Sequence, residues 1–290
     1  MAVHDRDGGL LAWWRAGTPE GRRALMAGSL GWMLDSFDVM LYALVLAALM
    51  KDLEMAKFTA GLLGSLTLVA SAVGGLVFGV VADRYGRKRA LISSVLIYSV
   101  FTAACGLAQT VAQLAVFRVF LGLGMGGEWA SGAALVSETW STEHRGKALG
   151  FMQSAWAVGY GLAAVVVAVV LPVWGWRAVF FVGVLPALLT VWVQRRVEEP
   201  ALWRASRAAV SARPGRLTDI FRGSLRRLTI AVTLMNACTM FAWWGFNQWI
   251  PAYLSLPGDD GGIGLTTRVM SAFIIAMQVG MWFGYVTFGF

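Results

Sequence analysis

The sequence predicts an all-α polytopic membrane protein. Hydrophobic residues make up 58% of its 290 residues, charged residues only 14%, and the mean hydropathy is +0.66. A soluble domain needs more charge on its surface than this. The charges lie mainly in short segments between long apolar runs, as expected of a chain that crosses the bilayer repeatedly. The net charge of +8 therefore does not indicate a nucleic-acid partner.

Eight stretches are long enough to cross the membrane, because a helix needs about 20 apolar residues to span the hydrocarbon core. They lie at residues 24–50, 59–82, 90–108, 111–137, 148–171, 177–194, 228–254 and 269–290. The predicted organisation is a cytoplasmic N-terminus at 1–23, a six-helix bundle over 24–194, a basic cytoplasmic linker at 195–227, and helices seven and eight within 228–290.

Positive charge predicts the orientation of the chain, because cytoplasmic loops retain Lys and Arg. Nineteen of the 24 Lys and Arg residues fall in the N-terminus, the 83–89 loop, the 138–147 loop and the linker. The opposite side has four, which are Lys51, Lys57, Arg177 and Arg268. The N-terminus is therefore expected in the cytoplasm. The linker is interpreted as a topology determinant, with a lipid-headgroup site as the alternative.

The loop between the second and third spans, GVVADRYGRKRA, places five charges within seven positions between almost uncharged runs. Its glycines, Gly79 and Gly86, are interpreted as positions of close backbone approach. The spacing G-x-x-x-D-R-x-G-R-K resembles the signature of the major facilitator superfamily of secondary transporters. The resemblance assigns a gating role to the residues of this loop, which are Gly79, Asp83, Arg84, Gly86, Arg87 and Lys88.

A second loop, SETWSTEHRGKALG at 137–150, resembles the related signature between the fourth and fifth helices. In this family the two loops form a cytoplasmic charge network that breaks and re-forms as two bundles rock. The resemblance therefore adds Glu138 and Arg145 to the gate. The alternative is that these charges only fix topology, but that would not explain the acidic Asp83 and Glu138 at helix ends.

The resemblance implies the major facilitator fold, which has twelve helices in two pseudo-symmetric bundles with the substrate between them. The chain would supply the complete N-terminal six-helix bundle and the first two helices of the second bundle. Because the sequence ends within its eighth span, truncation is expected, and the functional expectations apply to the full-length parent.

Four ionisable residues are expected at membrane depth, where such groups cost several kcal/mol unless they face a partner or a wet cavity. They are Asp35 and Asp38 on the first helix and Arg118 and Glu128 on the fourth. Asp35 and Glu128 share a level, about 16 and 14 Å from the cytoplasmic ends of their helices. Burial raises the pKa of a carboxylate and a nearby cation lowers it. The group could therefore bind a coupled proton at one stage of a cycle and release it at another. The alternative is a static ion pair such as Arg118 with Asp38.

The segments LDSFD and GMGGEW resemble the organic-anion:proton symporter branch, whose members carry sialic acid, lactate or aromatic acids. Arg118 also matches the fourth-helix arginine of proton-linked members. The run GLGMGG at residues 122–127 satisfies G-x-G-x-x-G, but no strand or βαβ unit accompanies it. It is interpreted instead as small residues that let helices pack closely.

Helix seven, MNACTMFAWWGFNQWIPAYL, is similar to the seventh helix of carboxylate transporters. Polar side chains there could bind a carboxylate, and tryptophans could pack on its apolar part; for the tryptophans an interfacial belt or simple packing is the alternative. The candidate substrate residues are Asn236, Trp243, Trp244, Asn247 and Gln248, with Gln153 on helix five.

These observations predict a proton-coupled symporter that imports a small organic anion, expected to be a carboxylate, across a bacterial-type inner membrane by alternating access. The alternatives are a sugar or drug facilitator of the same superfamily and a non-transporting membrane fragment. No enzymatic constellation and no metal site is predicted, and no cofactor is expected beyond the proton as coupling ion. The expected partners are the anion and the lipid bilayer, with a monomer as the expected state.

Overall fold

The computed structural model describes residues 12–199, 201, 203, 221–223 and 225–288. Most of the predicted linker 195–227 lies outside these residues. The helices are α1 (Ala12–Ala16), α2 (Pro19–Asp52), α3 (Lys57–Tyr85), α4 (Arg87–Cys105), α5 (Val111–Thr139), α6 (Arg145–Val182), α7 (Ala187–Arg196), α8 (Leu225–Ser255) and α9 (Thr267–Phe288). Within the described ranges, seven of these helices are long and apolar enough to cross a membrane.

Helix α2 is the central element of the bundle. It begins earlier than predicted, at Pro19, because the Thr18 hydroxyl caps the helix by accepting a hydrogen bond from the Gly21 amide at 3.0 Å. Its apolar stretch is the most buried of the seven candidate spans that the structure describes. Helices α5, α6 and α8 pack around it. Near the start of α2, the Trp140 indole donates to the Gly21 carbonyl at 2.8 Å and ties α2 to the end of α5.

The fifth and sixth predicted spans occur, but not as two simple helices. Gly175 has φ 74° and ψ 178°, which ends the helical path inside α6 and reverses the chain. The chain then returns along α4, with Gly183 beside Thr102 and the Gln194 carbonyl bonded to Lys88. The prediction of one continuous sixth helix was wrong, because residues 183–186 form turns. Pro186 lacks the backbone N–H that a continuous helix would use there.

The glycines of α5 are packed directly against neighbouring backbones. A Cβ at Gly122 or Gly126 would overlap carbonyl oxygens of α3, and a Cβ at Gly124 would lie 2.7 Å from the Tyr98 amide nitrogen of α4. This confirms that GLGMGG serves helix packing, because side chains at these positions would force the helices apart.

The last two helices attach to opposite partners. Helix α9 packs along α6, and α8 packs against α2 while remaining exposed over most of its length. Near its C-terminal end α8 buries Asn247, Pro251 and Ala252. The N-terminal half of α8 is exposed and leaves an open space between itself and the preceding helices.

Candidate substrate and proton site

Three carboxylates are buried at mid-membrane. Asp35 and Asp38 on α2 are each 2% exposed, and Glu128 on α5 is 0% exposed. Glu128 lies against α2 at Gly31, where an added Cβ would overlap its carboxylate. Asp35 and Glu128 are close enough to interact electrostatically. The structure thus places the Glu128 carboxylate against α2 at Gly31, one helical turn before Asp35.

These acids have few hydrogen-bond partners. Within the part of the chain that the structure describes, Oδ2 of Asp35, Oδ1 of Asp38 and both carboxylate oxygens of Glu128 have none. Asp38 does receive one bond in the described part of the chain, from the Thr102 hydroxyl, which donates to Oδ2 of Asp38 at 3.2 Å. A buried carboxylate without donors is far more easily accommodated neutral than charged. The site is therefore suited to protonated acids.

Arg118 does not neutralise any of the three acids. Its guanidinium stacks over the Tyr42 ring at 3.6 Å, and its Nε donates to the Leu63 carbonyl at 3.5 Å. Among the described residues it forms no ion pair within 4.0 Å. Arg118 lies ten residues before Glu128 on α5, about 15 Å along the helix axis. The alternative of a static Arg118–Asp38 pair is contradicted, because the Arg118 guanidinium stacks on the Tyr42 ring instead.

A row of hydroxyl groups on α4 was missed by sequence reasoning. Ser94, Tyr98 and Thr102 are fully buried and recur every four residues, so they share one face of the helix. Tyr98 lies within electrostatic range of all three acids. Across the described chain its hydroxyl has no hydrogen-bond partner. The four-residue spacing of hydroxyls in an apolar span was the available signal.

A cavity of about 850 Å³ opens beside Asp35, between α2, α3, α5, α6 and α8. Among the described residues of its lining, Asp35 is the ionisable one, and none is Lys or Arg. Most of the wall is aromatic or small and apolar. The aromatic lining residues are Trp32, Trp129, Trp156, Phe241, Trp244 and Trp249. A flat apolar group would fit against such walls.

Two of the six predicted substrate residues line this cavity. They are Trp244 and Gln248, and the Gln248 amide nitrogen is buried with no hydrogen-bond partner among the described residues. Trp243 lies outside the lining and packs edge-on against Trp156, with ring centroids 5.4 Å apart. It supports the wall rather than forming it.

The other three predicted substrate residues are not brought to the cavity. Asn247 is turned into its own helix, where its amide donates to the Trp243 carbonyl at 2.9 Å. Asn236 is exposed, and it is the next residue, Ala237, that reaches the lining. Gln153 is half-buried on α6 and outside the lining, and its Oε1 has no hydrogen-bond partner in the described ranges. Polar residue type alone could not predict which face of each helix meets the cavity.

The predicted gating residues form an ion-pair network at the predicted cytoplasmic face. Arg87 joins both loops, with Nη1 2.7 Å from Oδ1 of Asp83 and Nη2 2.8 Å from Oε1 of Glu138. Its Nε also donates to the same Glu138 oxygen at 3.1 Å. Arg87 is thus a clamp between the start of α4 and the end of α5. The Arg87 side chain is only 13% exposed, and this burial strengthens the charge-assisted bonds that it makes.

The segment after α7 also packs on this loop. The Lys88 amide donates to Oε2 of Glu199 at 3.3 Å, and its ammonium donates to the Gln194 carbonyl at 2.7 Å. Gly86 has φ 113°, and a Cβ there would overlap the Glu199 carboxylate. The Trp203 indole donates to the Asp83 carbonyl at 3.0 Å. The close contact at Gly86 is therefore with a side-chain carboxylate and not, as predicted, with a neighbouring backbone.

Three members of the predicted gate stand apart from the Arg87 clamp. Arg84 is exposed on the last turn of α3. Arg145 makes no ion pair with any described residue, and its Nε is buried without a hydrogen-bond partner there. Gly79 does not mark a close approach, since a Cβ there would meet nothing within 4 Å. It lies on a face of α3 that no described helix covers.

The chain matches the Major Facilitator Superfamily over residues 28–288. It is 35% identical over 91% of its length to the "Probable 4-methylmuconolactone transporter" of Cupriavidus pinatubonensis, and covers 62% of that protein. It is 33% identical over 96% of its length to the sialic acid transporter NanX of Escherichia coli. It is 31% identical over 95% of its length to the cis,cis-muconate transport protein of Acinetobacter baylyi. The chain spans 67% of each of these two relatives.

Solved structures support the same assignment at the level of fold. The chain superposes with a TM-score of 0.71 and 19% identity on an inward-facing, unoccupied bacterial homologue of the human lysosomal transporter Spinster, covering 92% of this chain and 60% of that one. A D-xylose-proton symporter gives a TM-score of 0.66 at 18% identity, covering 88% of this chain and 65% of that one. Together with the family match over most of its length, the helical membrane architecture means that the chain belongs to the Major Facilitator Superfamily, a family of transporters rather than enzymes.

Proposed function

We propose that the gene product is a proton-coupled symporter that imports a small organic carboxylate by alternating access. The observation that carries this proposal is the aromatic cavity with Asp35 in its wall and the buried Glu128 within electrostatic range of Asp35. It would work as a monomer in a bacterial-type inner membrane, with its N-terminus in the cytoplasm.

The absence of a cation from the described cavity wall explains why proton and anion would travel together. An anionic substrate beside a charged Asp35 is repelled, whereas the same substrate beside a protonated Asp35 can accept a hydrogen bond from it. Proton binding and substrate binding therefore favour each other, which is the thermodynamic condition for symport. Glu128 lies close enough to exchange the proton with Asp35 as the surroundings change.

The names of related proteins agree with an organic acid as substrate. Besides the muconolactone, muconate and sialic acid transporters, relatives are named a gentisate transporter of Corynebacterium glutamicum and a benzoate transport protein of Acinetobacter baylyi. The walls of the cavity narrow this range. Aromatic side chains suit a flat aromatic or unsaturated acid better than a polyhydroxylated one, whose hydroxyl groups would find few partners there.

The test is uptake by the gene product in proteoliposomes under an imposed inward proton gradient. Labelled benzoate, muconate, sialic acid and xylose are supplied in turn. Uptake of benzoate or muconate is expected to rise with the gradient, with little uptake of xylose. Xylose uptake without acid uptake would replace this proposal with a sugar facilitator, and no uptake of any solute would favour a non-transporting membrane protein.

A matched pair of variants checks that the cavity itself is responsible. Trp244→Ala removes part of the wall and is expected to weaken apparent substrate affinity about tenfold, as aromatic packing contributes about 1 kcal/mol beyond its buried area. Phe246→Ala removes a 60% exposed aromatic outside the lining and is the control. Equal effects of the two substitutions would remove the cavity from the proposal.

A further inference from the structure

A second cavity lies at the predicted outer ends of the helices. It has a volume of about 670 Å³ and is bounded by the ends of α2, α6 and α8 and the starts of α3 and α9. We call it the outer cavity. It shares no lining residue with the cavity beside Asp35, so it is a separate space. Its volume lies in the range of small-molecule sites.

The walls of the outer cavity divide into an apolar part and a cationic part. Leu44, Ala48 and Met270 are among the apolar lining residues. Two lysines are also among the lining residues, Lys51 near the end of α2 and Lys57 at the start of α3. An apolar surface next to two positive charges matches a small amphipathic anion.

Neither ammonium is neutralised by a carboxylate in the described part of the chain, where no ion pair of Lys51 or Lys57 occurs within 4.0 Å. The Lys57 ammonium donates to the backbone carbonyl of Asp260, not to its carboxylate. Asp52, which follows Lys51, is held by the Arg177 guanidinium at 2.8 Å and the Trp176 indole at 3.1 Å. Asp260 is the acid within the lining itself. Two cations thus face one acid across the cavity.

We propose that the outer cavity is a binding site for the carboxylate group of a small organic acid before it reaches the cavity beside Asp35. Lys51 and Lys57 hold the carboxylate, and the hydrocarbon part packs on the apolar wall. The identity of the ligand rests on the proposed function. The division of labour is electrostatic, since the outer cavity supplies the positive charge that the wall around Asp35 lacks. Both lysines are exposed, so the affinity is low and salt-sensitive.

The test places a reporter cysteine in the outer cavity. Thr266 lines it and is exposed, so Thr266→Cys in a Cys238→Ser background of the purified gene product gives an alkylation site, while Cys105 is buried. The protein is held in phosphatidylcholine nanodiscs, and benzoate is the probe. Benzoate is expected to slow alkylation of the new cysteine, while neutral benzyl alcohol does not.

The lysines are then changed in the same background. Lys51→Gln with Lys57→Gln should raise the half-protecting benzoate concentration about tenfold, since each exposed charge contributes modestly. Lys51→Arg with Lys57→Arg should keep protection. Arg268→Gln, which removes an exposed cation on the same side but outside the lining, should leave protection unchanged.

Several outcomes would overturn the proposal. Protection that survives the double glutamine change, or that Arg268→Gln weakens equally, would show that these lysines form no site. Loss of benzoate protection in phosphatidylglycerol nanodiscs would make a lipid phosphate the occupant instead. The uptake experiment remains independent, because benzoate transport with no protection of the new cysteine rejects only the outer site, and protection without transport rejects only the proposed function.

Discussion

The charged groups of the Arg87 clamp and the acids buried midway along α2 and α5 have opposite surroundings. Arg87 holds Asp83 and Glu138 in short charge-assisted bonds. Asp35 and Glu128 are 2% and 0% exposed, and both oxygens of Glu128 lack a hydrogen-bond partner among the described residues. Charge-assisted bonds between two helices stabilise one arrangement of them. Acids without such bonds do not stabilise one arrangement in this way, and no fixed partner holds them in the charged state.

Asp and Glu side chains therefore have different surroundings in the Arg87 clamp and in the buried site. Asp83 and Glu138 are held in position by Arg87. The buried acids are proposed to act by protonation, because none of their described neighbours compensates a full charge. Substitutions that preserve shape but remove charge should therefore affect the two regions differently.

Neutralising the buried acids is expected to have the largest effect. In proteoliposomes, Glu128→Gln or Asp35→Asn should abolish accumulation driven by a pH difference, about tenfold per pH unit for one coupled proton. Exchange of labelled for unlabelled substrate should continue in at least one of them, because exchange needs no net proton movement. Asp259→Asn, an exposed acid on the predicted outer side, is the control. Wild-type accumulation in both variants would make these acids structural.

Crowding the buried acids should have the next largest effect. A Cβ at Gly31 would overlap the Glu128 carboxylate, so Gly31→Ala should destabilise the protein by about 2–3 kcal/mol through overpacking. Thermal unfolding in detergent measures this. In a Glu128→Ala background the same change should be much less harmful, since the carboxylate is gone. An equal loss in both backgrounds would place the strain elsewhere.

Breaking the Arg87 clamp should have a smaller effect, and its two acids should contribute unequally. Glu138 is 22% exposed at its side chain and Asp83 is 74% exposed. Glu138→Gln should therefore cost about 1.5 kcal/mol of stability, and Asp83→Asn about 0.5 kcal/mol. Unfolding midpoints compare the two directly. If Asp83→Asn is the more harmful change, the clamp does not depend on burial as described.

Gly79→Ala should have the smallest effect on stability. Nothing lies within 4 Å of a Cβ at this position, so alanine should be neutral or stabilise α3 by up to about 1 kcal/mol. Unfolding and uptake are measured together. Unchanged uptake would remove Gly79 from the gate, whereas slow uptake by a stable variant would show that this face of α3 is approached during the transport cycle.

Much of the architecture could be predicted from the sequence because length and hydropathy determine which segments cross a membrane. Helical rise predicted similar positions for Asp35 and Glu128 along their helices, and the resemblance of the two loops to the family signature implied a charge network that includes Arg87. The path of the chain after Gly175 was harder to predict. Gly183 and Pro186 indicate a break in the helix. The sequence alone does not show that the chain packs along α4 on both sides of that break.

The partners of individual side chains could not be predicted in the same way. Arg118 stacks on Tyr42 rather than pairing with Asp35 or Asp38 of the same helix α2, because side-chain direction depends on the exact rotation of each helix. Asn247 bonds to its own backbone for the same reason. Residue spacing gives the face of a helix, but not what the neighbouring helix presents to it.

The burial of α2 has a consequence for how the protein is made. This helix leaves the ribosome before the helices that cover it, and its Asp35 and Asp38 are buried only after α4, α5 and α6 have been synthesised. Until then each charged carboxylate would face lipid or the insertion machinery, at about 2.5–3.5 kcal/mol near the centre of the membrane. Early α2 is therefore a marginal membrane helix, and the residues proposed to carry protons in the finished transporter are the same ones that make its first insertion step difficult.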